Sequence, residues 1–474
     1  MMTLTIGEIH AAVQGELIAD TGAEKRRVRG LVWDSRKLIP GNVFLAMPGE
    51  RVDGNDFIAR AIQKQAGCII CTRDIDDNTR AIAGEFSCPL IKVDDGVAAL
   101  TALARAWRQH LSAHVVGVTG STGKTSTKDF LRSVFSQRFK TVATQGNQNN
   151  EVGVPATILA ADEDTEVLIV EMGMRGIGQI ERLVDFVRPD MAVITNIGVS
   201  HLELLGTRDN IARAKSEIFR GLPEGGTAVL NADDPFMPKL VEYGKLDEHV
   251  LVKRCTYGTS AAADVRAAGI AFDLSACAEF ELQLPDEEPV QVKLAMPGRH
   301  NVSNALAAAA AGFALGMRAD QIAAGLEAAR GSGMRMEVER SRRGITFVND
   351  AYNANPDSMR SSLDTLSHMD CTGRRIAVLG DMGELGENEL EMHREVGASA
   401  ARSRLDLLVC VGNLAKGIAA GAAASGMDAD KIKCFDTVEA AIEFLQRTLA
   451  EGDLVLVKAS RFMGMERIVK EIVE

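Results

Sequence analysis

Apolar positions in the first part of the chain fall in short runs, GNVFLAM, AGCIICT and CPLIKV, between turn-rich polar segments. A helical pattern, GVAALTALARAW, then leads into the apolar strand VVGVTG, and an alanine-rich packed helix, NALAAAAAGFALG, closes the middle of the chain. Beyond it, strands alternate with amphipathic helices: RRIAVLGDM, NELEMHREVGASAARS, LDLLVCVGN and GDLVLVKAS. Strands separated by helices of this length predict βαβ units on a parallel sheet. The pattern changes near Asp95 and again near Gly316, which predicts an α/β chain of three domains over residues 1–95, 96–316 and 317–474.

Length agrees, since 474 residues exceed what one ordinary core organises. Aromatic residues at 4% and a formal net charge of −12 leave few stacking platforms and no overall basic surface, so nucleic acid is not an expected partner. The first twenty residues carry acidic and polar side chains where an export signal needs an apolar run, and no stretch reaches membrane-span length. The expectation is a cytoplasmic protein without membrane insertion. Eight scattered cysteines fit a reducing compartment. Cys68 and Cys71 form a C-x-x-C, but within an apolar run, and no second cysteine or histidine pair has metal-site spacing, so they read as core.

The strongest chemical signal is VVGVTGSTGKTSTKDFLRSVF. A buried strand, Val115 to Val118, enters Gly120, Ser121, Thr122, Gly123, Lys124, Thr125 and Ser126, and a helix follows through Phe130, Leu131 and Val134. Glycines let backbone N–H groups turn toward an anion, and a helix N-terminus adds partial positive charge. Lys124 is placed to reach the β- and γ-phosphates of ATP, and Thr125 to ligate Mg²⁺. The usual G-x-x-x-x-G-K-[ST] spacing would put glycine at position 118, where Val118 stands.

Other candidates sit at strand ends. EVLIVEM delivers Glu171, a Mg²⁺-ligand candidate or simply a surface glutamate. MAVITNIGVSH delivers His201, a metal-ligand candidate at the carboxyl end of a strand. Lys215 lies on a helix whose Ile211, Ala214 and Ile218 face inward; spacing alone reads it as a snorkelling surface lysine. Asn301 and Asn304 begin the alanine-rich helix and are either caps or ligand contacts. Asp34, Ser35 and Arg36 read on their own as a charged turn.

The shortened T-G-x-x-G-K-T loop, T-N-I-x-x-x-H-L-E and the following A-K-x-E-I together resemble the Mur ligases. That resemblance runs in order over essentially the whole chain. It implies a small α/β domain for a UDP-sugar, a central phosphate-loop ATPase domain with a mainly parallel sheet, and a C-terminal Rossmann-like domain that closes on ATP. It also implies a carbamate on Lys215, formed from CO₂, which with Glu171, His201 and Thr125 supports two Mg²⁺ ions. Asn301 and Asn304 match positions near the adenine, and Arg335 and Asp350 match positions that meet the γ-phosphate and ribose. WDSRKLIPGNVFLAMPGERVDG, TQGNQNNEVGVPATIL, NDAYNANPDSM and GDMGELGENELEMH resemble the family member that adds D-alanyl-D-alanine to a UDP-MurNAc-tripeptide. Those two small molecules are the implied partners, and the implied working state is a monomer. On this reading Asp34, Ser35, Arg36, Arg51 and Asp53 hold the UDP-sugar, and Asn147, Asn149 and Asn150 lie near the reacting carboxylate. His393 and the acidic residues around it are candidates for reading the dipeptide. Two competing expectations are a folylpolyglutamate-type ligase, which shares the loop, and an ATPase switch that needs no acceptor amine.

Overall fold

The computed structural model describes residues 1–19, 21–49 and 52–473. It divides into two compact units. The first comprises Met1–Gly117, Phe139–Gly173 and Glu181–Asp190; the second comprises Val118–Arg138, Met174–Ile180 and Met191–Glu474.

In the first unit a five-stranded sheet has the order Glu16–Ala19, Leu90–Lys92, Cys68–Cys71, Val43–Ala46, Leu31–Val32. Only the Glu16–Ala19 edge is antiparallel. Phe44, Ile69, Cys71 and Leu90 on one face meet Ile58, Ala61, Ile62 and Ala83 from the helices Ile58–Gln63 and Asp77–Glu85. The strand Cys68–Cys71 is buried at all four positions, as its unbroken apolar run predicts. Burial pushes the Cys71 thiol up to about 11. The Asp95 carboxylate accepts from the N–H groups of Val97 and Ala98 and so starts the helix Gly96–Arg108. That helix buries Trp107, whose Nε1 donates to Ala161 O at 3.0 Å. The unit also holds the parallel pair Thr141–Ala143 and Val167–Glu171.

In the second unit Met191–Ile194, Thr227–Asn231, Lys253–Gly258 and Val265–Phe272 run parallel in that order, and Cys277–Gln283 and Val290–Pro297 extend the sheet antiparallel. The helix Lys124–Phe135 packs so closely on the helix Ala319–Ala328 that a Cβ at Gly325 would lie 2.4 Å from Val134 Cα. A six-stranded sheet follows the order Glu337–Arg340, Thr346–Asn349, Leu454–Lys458, Arg375–Gly380, Leu407–Val411, Ile432–Phe435. It is parallel except at its first pair, and apolar cores cover both faces. This doubly wound sheet is the one the alternating strand and helix pattern predicts. Among the described residues no helix is long and apolar enough to cross a membrane.

Candidate active site

The strand His114–Thr119 ends at a loop that only glycine can form. Gly120 has φ +153° and Gly123 φ +78°. An added Cβ would lie 1.8 Å from Thr195 Oγ1 at Gly120 and 2.4 Å from Asn304 Oδ1 at Gly123. The helix Lys124–Phe135 then begins on Gly123 with no side chain capping it. Its first N–H groups and its dipole face the loop, the arrangement that attracts phosphate.

Three residues of the next strand end hold the loop from behind. Thr195 Oγ1 donates to Thr122 O at 2.6 Å, Asn196 Oδ1 accepts from Thr122 N at 3.1 Å, and Ser200 Oγ donates to Ser121 O at 3.0 Å. Ser121 Oγ in turn accepts from Gly198 N at 2.8 Å. Sequence reasoning singled out none of Thr195, Asn196 and Ser200 as site residues. Their signal was polar side chains at the carboxyl end of an apolar strand next to the phosphate loop.

Two lysines converge on one carbonyl. Lys124 Nζ donates to Gly120 O at 2.6 Å, and Lys215 Nζ donates to the same oxygen at 2.9 Å. The surface reading of Lys215 is corrected here: only 1% of the residue is exposed. Ile211 and Lys215 are four apart and Ala214 and Ile218 complete the same stripe, so the lysine lies on the buried face. Burial, reinforced by the charge of Lys124, holds its amine well below the ordinary lysine range.

His201 caps the short helix Leu202–Leu205 with φ +62°. Its imidazole is held at about 4, first by burial and then by the charges of Lys124 and Lys215, against the upward pull of Glu384. Nδ1 lies 2.8 Å from Glu384 Oε2 but is not aligned for a hydrogen bond. Glu384 also faces Arg175 at 3.3 Å. It belongs to GDMGELG, and its partners are so distant in sequence that no local pattern announces them. The same segment is held by His393, which is fully buried: Nε2 accepts from Met382 N at 2.9 Å and Nδ1 lies 2.6 Å from Glu389 O. An imidazole that accepts at Nε2 carries its proton on Nδ1. His393 therefore positions the loop and faces no open site.

The other candidates distribute as follows. Asn304 and Asn301 are buried on the helix His300–Ala314; Asn304 Oδ1 accepts from Thr127 Oγ1 at 3.2 Å, and its amide donates to Asn301 Oδ1 at 2.9 Å. Neither caps the helix, so Asn304 ties it to the phosphate-loop helix instead. Arg335 stacks over Tyr352 at 4.1 Å. Asp350 is turned inward: its carboxylate meets Lys458 Nζ at 2.5 Å and accepts from Ser362 Oγ at 2.6 Å. Asn355 Nδ2 reaches Ser200 Oγ at 2.7 Å and Asp357 Oδ2 accepts from Val199 N at 3.3 Å, so the start of the helix Pro356–His368 meets the turn before His201.

In the first unit Glu171 is buried at its strand end and accepts from Asn149 Nδ2 at 2.8 Å, which brings two candidates together. Asn150 Oδ1 accepts from Gly153 N at 3.0 Å in the turn leading into the helix Gly153–Ala160, and Asn147 is exposed. Asp34 and Arg36 close a charged turn with a two-point contact at 2.9 Å. Hydrogen bonds from the Arg36 side chain and then its backbone hold the Asp34 carboxyl at about 2. Ser35 O accepts from Lys64 Nζ at 2.9 Å, and Asp53 caps the turn Gly54–Phe57. Arg51 lies outside the described residues.

Three family models match the chain in order: the Mur ligase family catalytic domain over residues 27–108, the Mur ligase middle domain over 118–312 and the Mur ligase glutamate ligase domain over 334–461. A UDP-N-acetylmuramoyl-tripeptide–D-alanyl-D-alanine ligase of Bacillus subtilis is 35% identical, covering 100% of this chain and 99% of its own. Among solved structures, MurF from Acinetobacter baumannii superposes with a TM-score of 0.85 at 32% identity, covering 100% of this chain and 99% of its own. MurF from Thermotoga maritima in complex with ADP gives 0.78 at 30% identity, covering 94% and 97%. The chain belongs to the Mur ligase family.

Proposed function

We propose that this chain is an ATP-dependent ligase that joins D-alanyl-D-alanine to UDP-N-acetylmuramoyl-tripeptide, giving the UDP-MurNAc-pentapeptide, ADP and phosphate. The observation that carries the ATP half is the glycine-enforced loop before the helix Lys124–Phe135, with Lys124 folded over Gly120 O. The acceptor half rests on the full-length likeness to D-alanyl-D-alanine ligases. Folylpolyglutamate-type chemistry and a bare ATPase switch leave the DSR-containing first block and that likeness without a purpose.

The chemistry follows from charge. A carboxylate resists an amine because it already bears negative charge. Transfer of the γ-phosphoryl group of ATP onto its oxygen releases ADP and makes an acyl phosphate; the amine then adds, the tetrahedral adduct collapses, and phosphate leaves with the C–O bond. Lys124, the loop N–H groups and the helix N-terminus bind and neutralise the phosphate oxygens, since such transfer depends on positioning and electrostatics. Residues 96–316 would hold ATP, with Asn301 and Asn304 toward the adenine, and Arg335 and Asp350 from residues 317–474 would meet the γ-phosphate and ribose. Residues 1–95 would hold the UDP-sugar through Asp34, Ser35, Arg36, Arg51 and Asp53, with Asn147, Asn149 and Asn150 beside the reacting carboxylate. Residues 317–474 would close the site and bind the dipeptide.

The residues fit Mg²⁺. His201 is neutral, with a buried Nδ1 that makes no hydrogen bond, and Glu384 already draws close to it. No group of three His, Cys, Asp or Glu side chains gathers among the described residues. That sparse donor set suits an ion bound largely through substrate phosphates and water. Thr125, Glu171, His201 and a carbamate on Lys215 would hold two such ions, which when bound supply charge neutralisation at the phosphates. Burial and the charge of Lys124 disfavour the charged form of the Lys215 amine, and the neutral form is the one that reacts with CO₂. We assign the working state as a cytoplasmic monomer: one chain matches all three family domains, and ATP and the UDP-linked tripeptide are cytoplasmic nucleotide substrates.

Phosphate release tests the reading against the switch. It should require both UDP-MurNAc-tripeptide and D-alanyl-D-alanine; steady release from ATP alone would favour the switch.

A further inference from the structure

Cys410 and Cys434 stand opposite each other in the register of the neighbouring parallel strands Leu407–Val411 and Ile432–Phe435. Side chains paired in this way emerge on the same face, so the register sets the two thiols side by side. Adjacent strands lie roughly 4.8 Å apart, within the roughly 4.4–6.8 Å that a disulfide spans between Cα atoms. Cys410 is 1% exposed. Cys434 sits on the sheet's edge strand and is the exposed cysteine among the eight.

The charged groups around Cys434 come from two elements. Lys416 on the helix Ala415–Ala424 pairs with Asp436, just beyond the edge strand, at 2.8 Å. The neighbouring Cys410 thiol draws the Cys434 thiol down to about 7; burial opposes this, Lys416 supports it, and Asp436 opposes it. Cys410 is pushed well above the ordinary thiol value. An exposed thiolate backed by a buried, protonated thiol is the division of labour between an attacking and a resolving cysteine.

We propose that Cys434 is a site of oxidation by hydroperoxides and that Cys410 resolves it into a reversible intramolecular disulfide. The Cys434 thiolate attacks one peroxide oxygen, the O–O bond breaks, and the departing oxygen takes up a proton and leaves as water or alcohol. Sulfur is thereby oxidised to the sulfenic acid. The Cys410 sulfur then attacks the sulfenic sulfur, the S–S bond forms, and the hydroxyl leaves with the Cys410 proton as water. A dithiol restores both thiols and is itself oxidised to a disulfide.

The test treats the reduced full-length enzyme with hydrogen peroxide, blocks the remaining thiols and maps peptides by mass spectrometry. The expected result is a Cys410–Cys434 cross-link that dithiothreitol removes. In Cys410→Ser the reaction should stop at a dimedone-reactive Cys434, and Cys434→Ser should form neither species. A second measurement uses the unaltered chain and so survives poor folding of either variant: the rate of Cys434 alkylation by iodoacetamide against pH. A thiol lowered to about 7 should be about half ionised at pH 7, against about 1% for an ordinary thiol at 9.0. That gain of about fifty-fold, less about eight-fold for the weaker nucleophile, leaves a rate about six-fold above an ordinary thiol. Cross-links elsewhere, or none, overturn the proposal, as does an alkylation midpoint near 9.0.

Discussion

Replacing Lys458 with methionine tests how the C-terminal sheet presents its strand ends. Lys458 ends the strand Leu454–Lys458 with its side chain 3% exposed, and it donates to Asp350 Oδ2 at 2.5 Å and to Asn353 O at 3.1 Å. Methionine keeps the length of the stem and removes the cation. The Asp350 carboxylate, itself 11% exposed, then keeps only neutral donors, Ser362 Oγ at 2.6 Å and Met336 N at 3.2 Å. Removing one partner of a buried ion pair costs about 3–5 kcal/mol, chiefly because the remaining charge is uncompensated. Neutralising both partners removes that charge. Asp350→Asn combined with Lys458→Met should therefore lose clearly less than Lys458→Met alone, with a coupling of about 2 kcal/mol or more. Because a chain of two units need not unfold in one step, the measurement should be local. Hydrogen exchange of the strand Leu454–Lys458, followed by mass spectrometry across a urea series, reads the opening free energy of this sheet. A loss below about 1 kcal/mol in the single variant, or strictly additive losses in the double, would refute the reasoning. The double variant also separates two roles for Asp350: an unchanged KM for ATP would confine it to the fold.

Three further outcomes follow from the same geometry. Lys124→Ala should lower kcat by about a thousand-fold or more while leaving the thermal transition in place, because electrostatic groups of this kind contribute on that scale; phosphate release and calorimetry check it. Lys215→Ala should be nearly inactive and partly restored by formate or acetate in a titration of initial rates, since a small carboxylate can occupy the place of the carbamate. His393 should make folding acid-sensitive. Burial holds its folded pKa below the ordinary 6.5, so the unfolded chain binds the extra proton and stability falls as pH drops from 6.5 toward the folded value. His393→Phe should flatten that pH dependence in urea titrations, and an unchanged slope would contradict it.

The parts of the fold that show plainly in the sequence are those set by local pattern. The unbroken apolar run at Cys68–Cys71 becomes a strand buried on both faces, and strand–helix alternation after Gly316 becomes a doubly wound sheet. Gly120 and Gly123 are legible because nothing else fits their backbone, and Lys124 follows from them. Lys215 was half legible. Its place four residues after Ile211 puts it on the inward stripe, but lysine's preference for water argued the other way, and spacing carries no weight for the Gly120 carbonyl that receives it. Asn150 and Asp53 bond to nearby backbone amides, a local duty that a match to a polar motif does not reveal. Glu384 and Asn355 were out of reach, because each acts on a residue more than a hundred positions away. Asp350 reads as a ligand group because a carboxylate ends a strand, while its pairing with Lys458, more than a hundred positions on, leaves no local signal.

The most direct test of the central claim is a product assay. The purified chain is incubated with ATP, Mg²⁺, UDP-N-acetylmuramoyl-tripeptide and D-alanyl-D-alanine, and the mixture is read by mass spectrometry. The account predicts a species whose mass is that of the two substrates joined with loss of one water, with ADP and phosphate formed in equal amounts, and far less product when free lysine or diaminopimelate replaces the dipeptide. ATP hydrolysis without any joined product, at a rate indifferent to the acceptor, would contradict it.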